Sequence, residues 1–223
     1  MNDERVPANG PAPEPSPPRV SEPAPIVLPA GAVLLDENTD PPLREWYGRL
    51  LATATEADFA VGRVRLAGID MSGVELAGVR HCRMLLGRLD MDTLLDGSGD
   101  PHPEDDWRAR LKRLRAFVGS GRIRIHSAGM QQWSPDFSVF RGVRAGAGPG
   151  GGDRGAAVVL GPHHFARSAP DGAAMTAIIP GENAAALATR RFETMFESGY
   201  DVTGVVLELL GQLLAGRAAF PQP

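Results

Sequence analysis

The sequence contains a single cysteine, Cys82, which excludes an internal disulfide and a zinc site built on paired thiolates. It has no apolar run of the roughly 20 residues that a membrane span requires, since its longest apolar stretches lie at 84–86 and 205–214. The chain opens with acidic residues where an export signal would place a basic region and an apolar segment. With a net charge of −4 and a pI of about 5.7, it has no overall basic field that would attract nucleic acid. These absences predict a cytoplasmic protein with no membrane segment, no metal and no cofactor.

Proline is concentrated near the N-terminus. Nine of the 20 prolines fall within residues 1–30. A segment of this composition cannot bury enough apolar surface to offset the entropy that it would lose on ordering. We therefore expect residues 1–40 to form a disordered Pro-rich tail and residues 41–216 to form one folded domain.

The hydrophobic pattern of residues 41–216 switches between helical and strand periodicity. The predicted helices cover 43–51, 103–118, 183–198 and 202–214. The predicted strands cover 57–64, 80–86, 122–126, 137–141, 156–160 and 174–179, and residues 70–78 make a short helix or a turn. Helices and strands alternate in the first half, and a meander of strands follows. This order predicts an α/β fold with a mixed β-sheet flanked by helices.

The helix predicted after Pro103 concentrates positive charge. Apolar residues form its buried side, and basic residues cover the rest: Arg108, Arg110, Lys112, Arg113 and Arg115. The basic side is interpreted either as a solvated helix surface or as a site for an acidic partner. A nucleic-acid-binding module would use Arg108, Arg110 and Arg113, but the acidic balance of the chain makes this the weakest of the functional hypotheses.

Several short strand and turn segments follow one another along the chain in a characteristic order. Residues 57–64 and Arg83-Met-Leu-Leu-Gly87 precede the break at Gly119-Ser-Gly121, the strand at 122–125 and the segment Asp136-Phe-Ser-Val-Phe140. A further strand then ends in Gly161-Pro-His-His-Phe165, which is similar to a Gly-Ser-x-Asn-Phe/Leu sequence. Over residues 43–200 this order resembles one half of the phospholipase D-like superfamily, which includes phosphodiesterases and nucleases. The resemblance implies a phospholipase D-like half.

Enzymes of that superfamily cleave phosphodiesters with a His-x-Lys-x-x-x-x-Asp motif. The resemblance implies that one imidazole attacks phosphorus, a second imidazole protonates the leaving oxygen and the lysine neutralises the phosphate charge. In this chain Ser134 takes the histidine place, Asp136 the lysine place and Arg141 the aspartate place. No His-x-Lys occurs in the 223 residues, because the one lysine, Lys112, has Arg110 two positions before it. A carboxylate in the lysine place repels phosphate, so the usual mechanism is excluded.

Polar side chains remain where the motif would stand. Alternation along a strand places Ser134, Asp136 and Ser138 on one face, and His163 and His164 end the following strand. Asp136 with either histidine is a candidate acid-base pair or half of a metal site, whereas the alternative is a hydrogen-bonded remnant. The candidate ligand-binding residues are Ser134, Ser138 and Trp133.

Two functions are consistent with these observations. The first is a catalytically inactive phospholipase D-like protein that acts as a binding or assembly subunit in a bacterial nucleic-acid-processing or defence complex. The resemblance implies a homodimer, joined through the face at which family halves meet, together with a protein partner. The alternative is a divergent phosphodiesterase or hydrolase that uses His163 or His164 with Asp136.

Overall fold

A computed structural model describes residues 26–35, 43–62, 78–87, 104–129, 136–144, 154–161 and 176–216. Within these ranges the helices are α1 (Leu43–Thr53), α2 (Glu104–Gly119), α3 (Glu182–Glu197) and α4 (Thr203–Leu214). The strands are β1 (Val33–Leu35), β2 (Glu56–Val61), β3 (His81–Leu86), β4 (Ile123–Ser127), β5 (Phe137–Arg144), β6 (Arg154–Leu160), β7 (Thr176–Pro180) and β8 (Tyr200–Asp201).

All the described strands belong to one eight-stranded sheet with the order β1-β7-β6-β5-β2-β3-β4-β8. β2, β3 and β4 are parallel, whereas β5, β6 and β7 continue the sheet from β2 as antiparallel neighbours. The connection between the parallel strands β3 and β4 contains α2, as a crossover requires. The sheet is therefore mixed, and the predicted α/β fold with flanking helices is confirmed.

Three helices cover one face of the sheet, which we call the apolar face. α1, α2 and α4 pack there around a core that includes Leu50, Phe59, Phe140 and Leu210, each no more than 2% exposed. Alternate residues of β2 point to this face, as the strand period requires. Burying large aliphatic and aromatic side chains contributes roughly 1.5–3 kcal/mol for each. This face holds the larger of the two cores.

α3 covers the opposite face, which we call the charged face. Its apolar contacts form a smaller core that includes Leu85, Phe137, Val139 and Phe192. The rings of Phe137 and Phe192 meet edge to face, with their centroids 6.4 Å apart. Asp58, which is 1% exposed, lies on the same sheet as these residues, so a buried charge interrupts an otherwise apolar interior.

A bulge in β5 changes the alternation of its side chains between the two faces. Its pairing with β6 shifts register between Phe140 and Val143. Gly142 lies in this interval with φ +62°, a left-handed conformation that glycine adopts without steric cost. As a result Phe140 and Val143 both enter the core of the apolar face.

The structure differs from the predicted boundary of the tail at residue 40. Ile26 is 3% exposed and its backbone N–H donates to the Arg144 carbonyl at 3.1 Å. β1 pairs antiparallel with β7, and Leu35 is buried in the core. The reason is compositional, because residues 26–35 contain Ile-Val-Leu and Val-Leu-Leu and thus regain the apolar surface that the preceding proline-rich residues lack. Residues 1–25 lie outside the described part.

The remaining elements follow the predicted order with shifted ends. β2 ends at Val61, three residues before the predicted end, and β7 begins at Thr176 instead of residue 174. β8 was not predicted, since a strand of two residues carries no periodicity. The helix or turn predicted at 70–78 falls almost entirely outside the described residues. None of the described helices is both long and apolar enough for a membrane crossing.

Candidate functional site

Two of the six predicted site residues, Asp136 and Ser138, lie within the described part of the structure. Trp133, Ser134, His163 and His164 lie outside it. Asp136 immediately precedes β5, and Ser138 is the second residue of that strand and is fully buried. The site can therefore be built from the start of β5 and the residues that surround it.

Asp136 connects the ends of three neighbouring strands. Its Oδ1 accepts a hydrogen bond from the backbone N–H of Gly62, which follows β2, at 2.7 Å. Its carbonyl oxygen accepts a hydrogen bond from the backbone N–H of Gly161, which follows β6, at 3.0 Å. A backbone donor thus already engages the Asp136 carboxylate. These contacts also bring Gly161, two residues before His163, next to Asp136.

Ser138 faces α1. The Tyr47 hydroxyl donates a hydrogen bond to Ser138 Oγ at 3.1 Å, and the Tyr47 ring meets Phe140 edge to face. Burial raises the pKa of the Tyr47 hydroxyl, the hydrogen bond to Ser138 acts in the opposite direction, and the charge of Asp136 raises it further. Tyr47 therefore stays protonated and serves as a donor. The sequence pattern placed this tyrosine within the helix predicted at 43–51 and gave no sign that it contacts Ser138.

Arg141, for which the sequence resemblance predicted the place of a motif aspartate, joins a cluster on the charged face that the sequence did not indicate. Its Nε donates to Glu56 Oε2 at 2.9 Å, and its Nη1 donates to Asp58 Oδ2 at 2.7 Å and to Thr189 Oγ1 of α3 at 2.9 Å. Burial lowers the pKa of Arg141, but the charges and hydrogen bonds of Asp58 and Glu56 outweigh burial and raise it. The guanidinium remains charged and is held in place.

Asp58 is the centre of this cluster. Arg83 binds it with two parallel hydrogen bonds, Nε to Oδ1 at 2.7 Å and Nη2 to Oδ2 at 2.8 Å. This fork-to-carboxylate geometry is the strong, orientation-specific form of the ion pair. The hydrogen bond to Asp58 is the main cause of the raised pKa of Arg83. We call Glu56, Asp58, Arg83 and Arg141 the charge cluster.

Strand register explains how the charge cluster assembles. Asp58 of β2 stands directly opposite Arg83 of β3, and Glu56 of β2 stands directly opposite Arg141 of β5. Directly opposed residues of neighbouring strands have side chains on the same face, within contact distance. Strand pairing alone therefore brings two carboxylates and two guanidiniums together.

α3 covers the charge cluster with aromatic and polar groups. The Arg83 guanidinium lies 5.0 Å from the centroid of the Phe192 ring and 5.7 Å from that of Phe196, a cation–π arrangement. Glu193 adds an ion-pair contact at 3.8 Å. Both oxygens of Asp58 accept hydrogen bonds from guanidiniums and the side chain is 1% exposed, so this carboxylate is paired inside the protein.

Metal-ligating residues do not gather elsewhere in the described ranges, where no group of three or more His, Cys, Asp or Glu side chains could hold an ion. Cys82 is buried, and burial raises the pKa of its thiol. His126 stacks on Phe196, and its Nδ1 lies 2.8 Å from the Phe196 carbonyl oxygen. Cys82 thus lies in the core of the apolar face, and His126 is packed against the ring of Phe196.

Comparison with known proteins finds similarity in structure only. No protein-family model and no curated protein matches the sequence. TrmBL2, an archaeal chromatin protein with a novel mode of DNA binding, is 11% identical with a TM-score of 0.47, and the match covers 77% of this chain and 53% of that chain. Nuc, a phospholipase D family member from Salmonella typhimurium, is 12% identical with a TM-score of 0.46, over 76% of this chain and 96% of that chain.

A third solved structure, NucT from Helicobacter pylori, is 11% identical with a TM-score of 0.42, over 76% of this chain and 98% of that chain. This chain thus spans about half of the TrmBL2 chain and nearly all of the Nuc and NucT chains. At these identities the similarity assigns no activity. Solved structures to which the chain is similar thus include a member of the phospholipase D family.

Proposed function

We propose that this chain is a catalytically inactive phospholipase D-like protein that acts as a binding or assembly subunit. The observation that supports this proposal most directly is the hydrogen bonding of Asp136, which takes the place of the family's lysine. Its carboxylate accepts a backbone hydrogen bond from Gly62 at 2.7 Å and is therefore held between the end of β2 and the start of β5. A negative charge fixed there opposes the approach of a phosphodiester.

The other two motif positions support the same conclusion. Ser134 provides no imidazole, and Arg141 is held by Asp58, Glu56 and Thr189 on the charged face. Lys112, the one lysine in the sequence, is exposed on α2, which packs against α4 and β4. No ammonium group replaces the lysine of the motif.

An assay of phosphodiester hydrolysis tests the loss of catalysis. The purified protein is incubated with bis(p-nitrophenyl) phosphate and with single-stranded DNA, alongside the His163→Ala and His164→Ala variants. We expect all three proteins to match the buffer rate. Turnover by the parent protein that either variant abolishes would overturn the proposal.

That outcome would instead support the second candidate, a divergent phosphodiesterase that uses His163 or His164 with Asp136. One observation favours this candidate: the hydrogen bond between the Gly161 N–H and the Asp136 carbonyl brings the end of β6 beside Asp136. An acid-base pair would require a bell-shaped pH dependence that Asp136→Asn removes. We expect no such profile.

For the assembly role we propose that the chain forms a homodimer, and that this dimer binds a further protein in a bacterial nucleic-acid-processing or defence complex. Support for the dimer is the family's use of two halves, which is an analogy of fold and not of chemistry. Sedimentation velocity over a range of protein concentrations measures it directly. A monomer at all concentrations would remove the dimer from the proposal and leave the inactive site unaffected.

A further inference from the structure

Positive charge is segregated in one part of this acidic chain. Residues 107–126 contain seven arginines and lysines and not one aspartate or glutamate, although the chain as a whole has a net charge of −4. The structure places this stretch in α2 and β4. Such segregation creates a local positive field that the net charge conceals.

The cations line the exposed side of α2. Arg108, Lys112 and Arg115 follow one another at i, i+4 and i+7, so they form one row along the helix, and Arg113 lies beside the row. Arg122, just after the helix, holds its guanidinium 5.0 Å from the centroid of the Phe117 ring. We call these residues the basic strip: Arg108, Lys112, Arg113, Arg115 and Arg122.

No acidic partner neutralises the basic strip among the side chains that the structure describes. The ion pairs of the described part lie elsewhere, for example between Arg49 and Glu45 of α1 and within the charge cluster. Like charges at i and i+4 destabilise a helix by roughly 0.2–0.5 kcal/mol per pair. Among the described side chains, the strip thus carries a repulsion that a bound polyanion would relieve.

Contacts with α4 help to hold the row in place. Arg108 Nη2 donates to the Leu214 carbonyl, in the last turn of α4, at 3.2 Å. The Arg115 guanidinium lies against Gly211, where an added Cβ would be 3.7 Å from Arg115 Nε. Two of the cations are therefore positioned before any ligand arrives, which lowers the entropy that binding would cost.

The neutral residues between the cations indicate which polyanion fits. Where the structure describes the side chains from Arg108 to Arg122, the exposed neutral residues are small, namely Ala116, Gly119, Ser120 and Gly121, so this part of the surface has no aromatic or large apolar anchor. An interface with an acidic protein needs such an anchor at its centre, and single-stranded nucleic acid needs aromatic rings for stacking. The regular phosphates of a double helix need only cations and room for close approach.

We infer that the basic strip on α2 binds the phosphate backbone of double-helical nucleic acid without sequence preference. The inference deepens the proposed function by naming a binding surface for the assembly subunit, but it rests on the strip and not on the altered motif. Hydrolysis in the assay above would therefore leave it intact, and failure of binding would leave the inactive site intact.

The test is fluorescence anisotropy with a labelled 30-base-pair duplex at a series of salt concentrations. The full chain is compared with the triple variant Lys112→Gln/Arg113→Gln/Arg115→Gln, whose three side chains are exposed. Each neutralised phosphate contact contributes about 0.9 to the slope of log affinity against log salt. We expect the triple variant to lose about 3 from that slope and to bind at least about tenfold more weakly at low salt.

A matched control removes equal charge elsewhere. The variant Arg154→Gln/Arg190→Gln/Arg191→Gln changes exposed arginines of β6 and α3 and reaches the same net charge. We expect its slope to equal that of the parent. The inference would be overturned if the parent does not bind the duplex at low salt or if both triple variants are weakened equally. It would also be overturned if a 30-nucleotide oligo(dT) binds more tightly than the duplex, or if poly-glutamate competes as effectively as the duplex.

Circular dichroism and thermal unfolding check that the variants are folded. If replacement of Arg115 disturbs the packing of α2 on α4, the double variant Lys112→Gln/Arg113→Gln replaces the triple one, with a slope change of about 2 expected. An unchanged slope in a folded double variant would overturn the inference equally.

Discussion

The two faces of the sheet are built on different physical principles. The apolar face buries aliphatic and aromatic side chains beneath α1, α2 and α4, whereas the charged face places Asp58, Arg83 and Arg141 beneath α3. Burial stabilises the apolar face without specifying direction, because hydrophobic contact has no preferred geometry. On the charged face each guanidinium must meet a particular oxygen. We therefore expect the first face to provide most of the stability and the second to favour the correct strand register over alternatives.

The largest effect is expected when one member of the charge cluster is removed. Asp58→Ala leaves two guanidiniums beneath α3 without their central carboxylate, and breaking a buried pair from one side costs about 3–5 kcal/mol. Urea unfolding measures the change. The triple variant Asp58→Leu/Arg83→Met/Arg141→Met keeps the volume without charge and should be close to the parent protein in stability.

If the free energy of unfolding of Asp58→Ala lies within about 1 kcal/mol of the parent value, the charged face tolerates an unpaired cation. The proposed difference between the two faces would then be wrong. If the triple variant is as stable as the parent but unfolds without cooperativity, the charge cluster serves to select one strand arrangement and does not add stability.

The next effect concerns the apolar face. Leu210→Ala in α4 opens a cavity at a fully buried position and should lower the free energy of unfolding by about 2–5 kcal/mol. The matched control is Leu187→Ala on α3, where the leucine is 64% exposed and the change should stay within about 0.5 kcal/mol. Both are measured by urea unfolding. Equal losses would contradict the assignment of the main core to α1, α2 and α4.

The β5 bulge, which brings both Phe140 and Val143 to the apolar face, is tested by Gly142→Ala. Gly142 has φ +62°, and an added Cβ would collide with Thr55 Oγ1. Strain in a left-handed conformation costs of the order of 1–3 kcal/mol. The melting temperature should fall, whereas Gly31→Ala, in open space, should leave it nearly unchanged. An unchanged melting temperature for Gly142→Ala would mean that the bulge is not required at this position.

The smallest effect is a pH dependence at the edge of the sheet. The backbone and side chain of Thr203 lower the pKa of the Asp201 carboxyl below its ordinary value of 3.8, with the backbone N–H donating to Oδ1 at 2.8 Å. A lowered folded-state pKa means that this stabilisation is complete above pH 3.8 and is lost as pH falls through the folded value. Asp201→Asn should therefore reduce the acid-induced loss of stability slightly. Identical acid unfolding curves would contradict the role of Asp201.

The site was only partly predictable. Asp136 was singled out because the resemblance gives it the lysine place of the motif, and Ser138 because alternation puts it on the same strand face. The structure connects Asp136 to Gly62 and Ser138 to Tyr47. Those partners lie 74 and 91 residues away in sequence, so no local pattern could identify them. Predictions for Trp133, Ser134, His163 and His164 remain predictions.

The sequence contained one sign of the charge cluster, but this sign did not identify the residues that form it. Asp58 interrupts the apolar run Ala57–Val61, and a charge inside a central strand requires a buried partner. Its partners Arg83 and Arg141 are 25 and 83 residues away, on the strands to either side of β2. The pattern could show that a partner must exist but not which arginine it is.

The sequence by itself determined the α/β alternation, the absence of a His-x-Lys pair and the basic stretch at 107–126, because periodicity, motif content and local charge are properties of neighbouring residues. Only the tertiary structure decided which strands pair, that Ile26 and Leu35 join the core, and that Asp58 lies between two guanidiniums. Alternation assigns a side chain to one face or the other. It does not specify the neighbouring strand, which depends on how distant segments of the chain pack together.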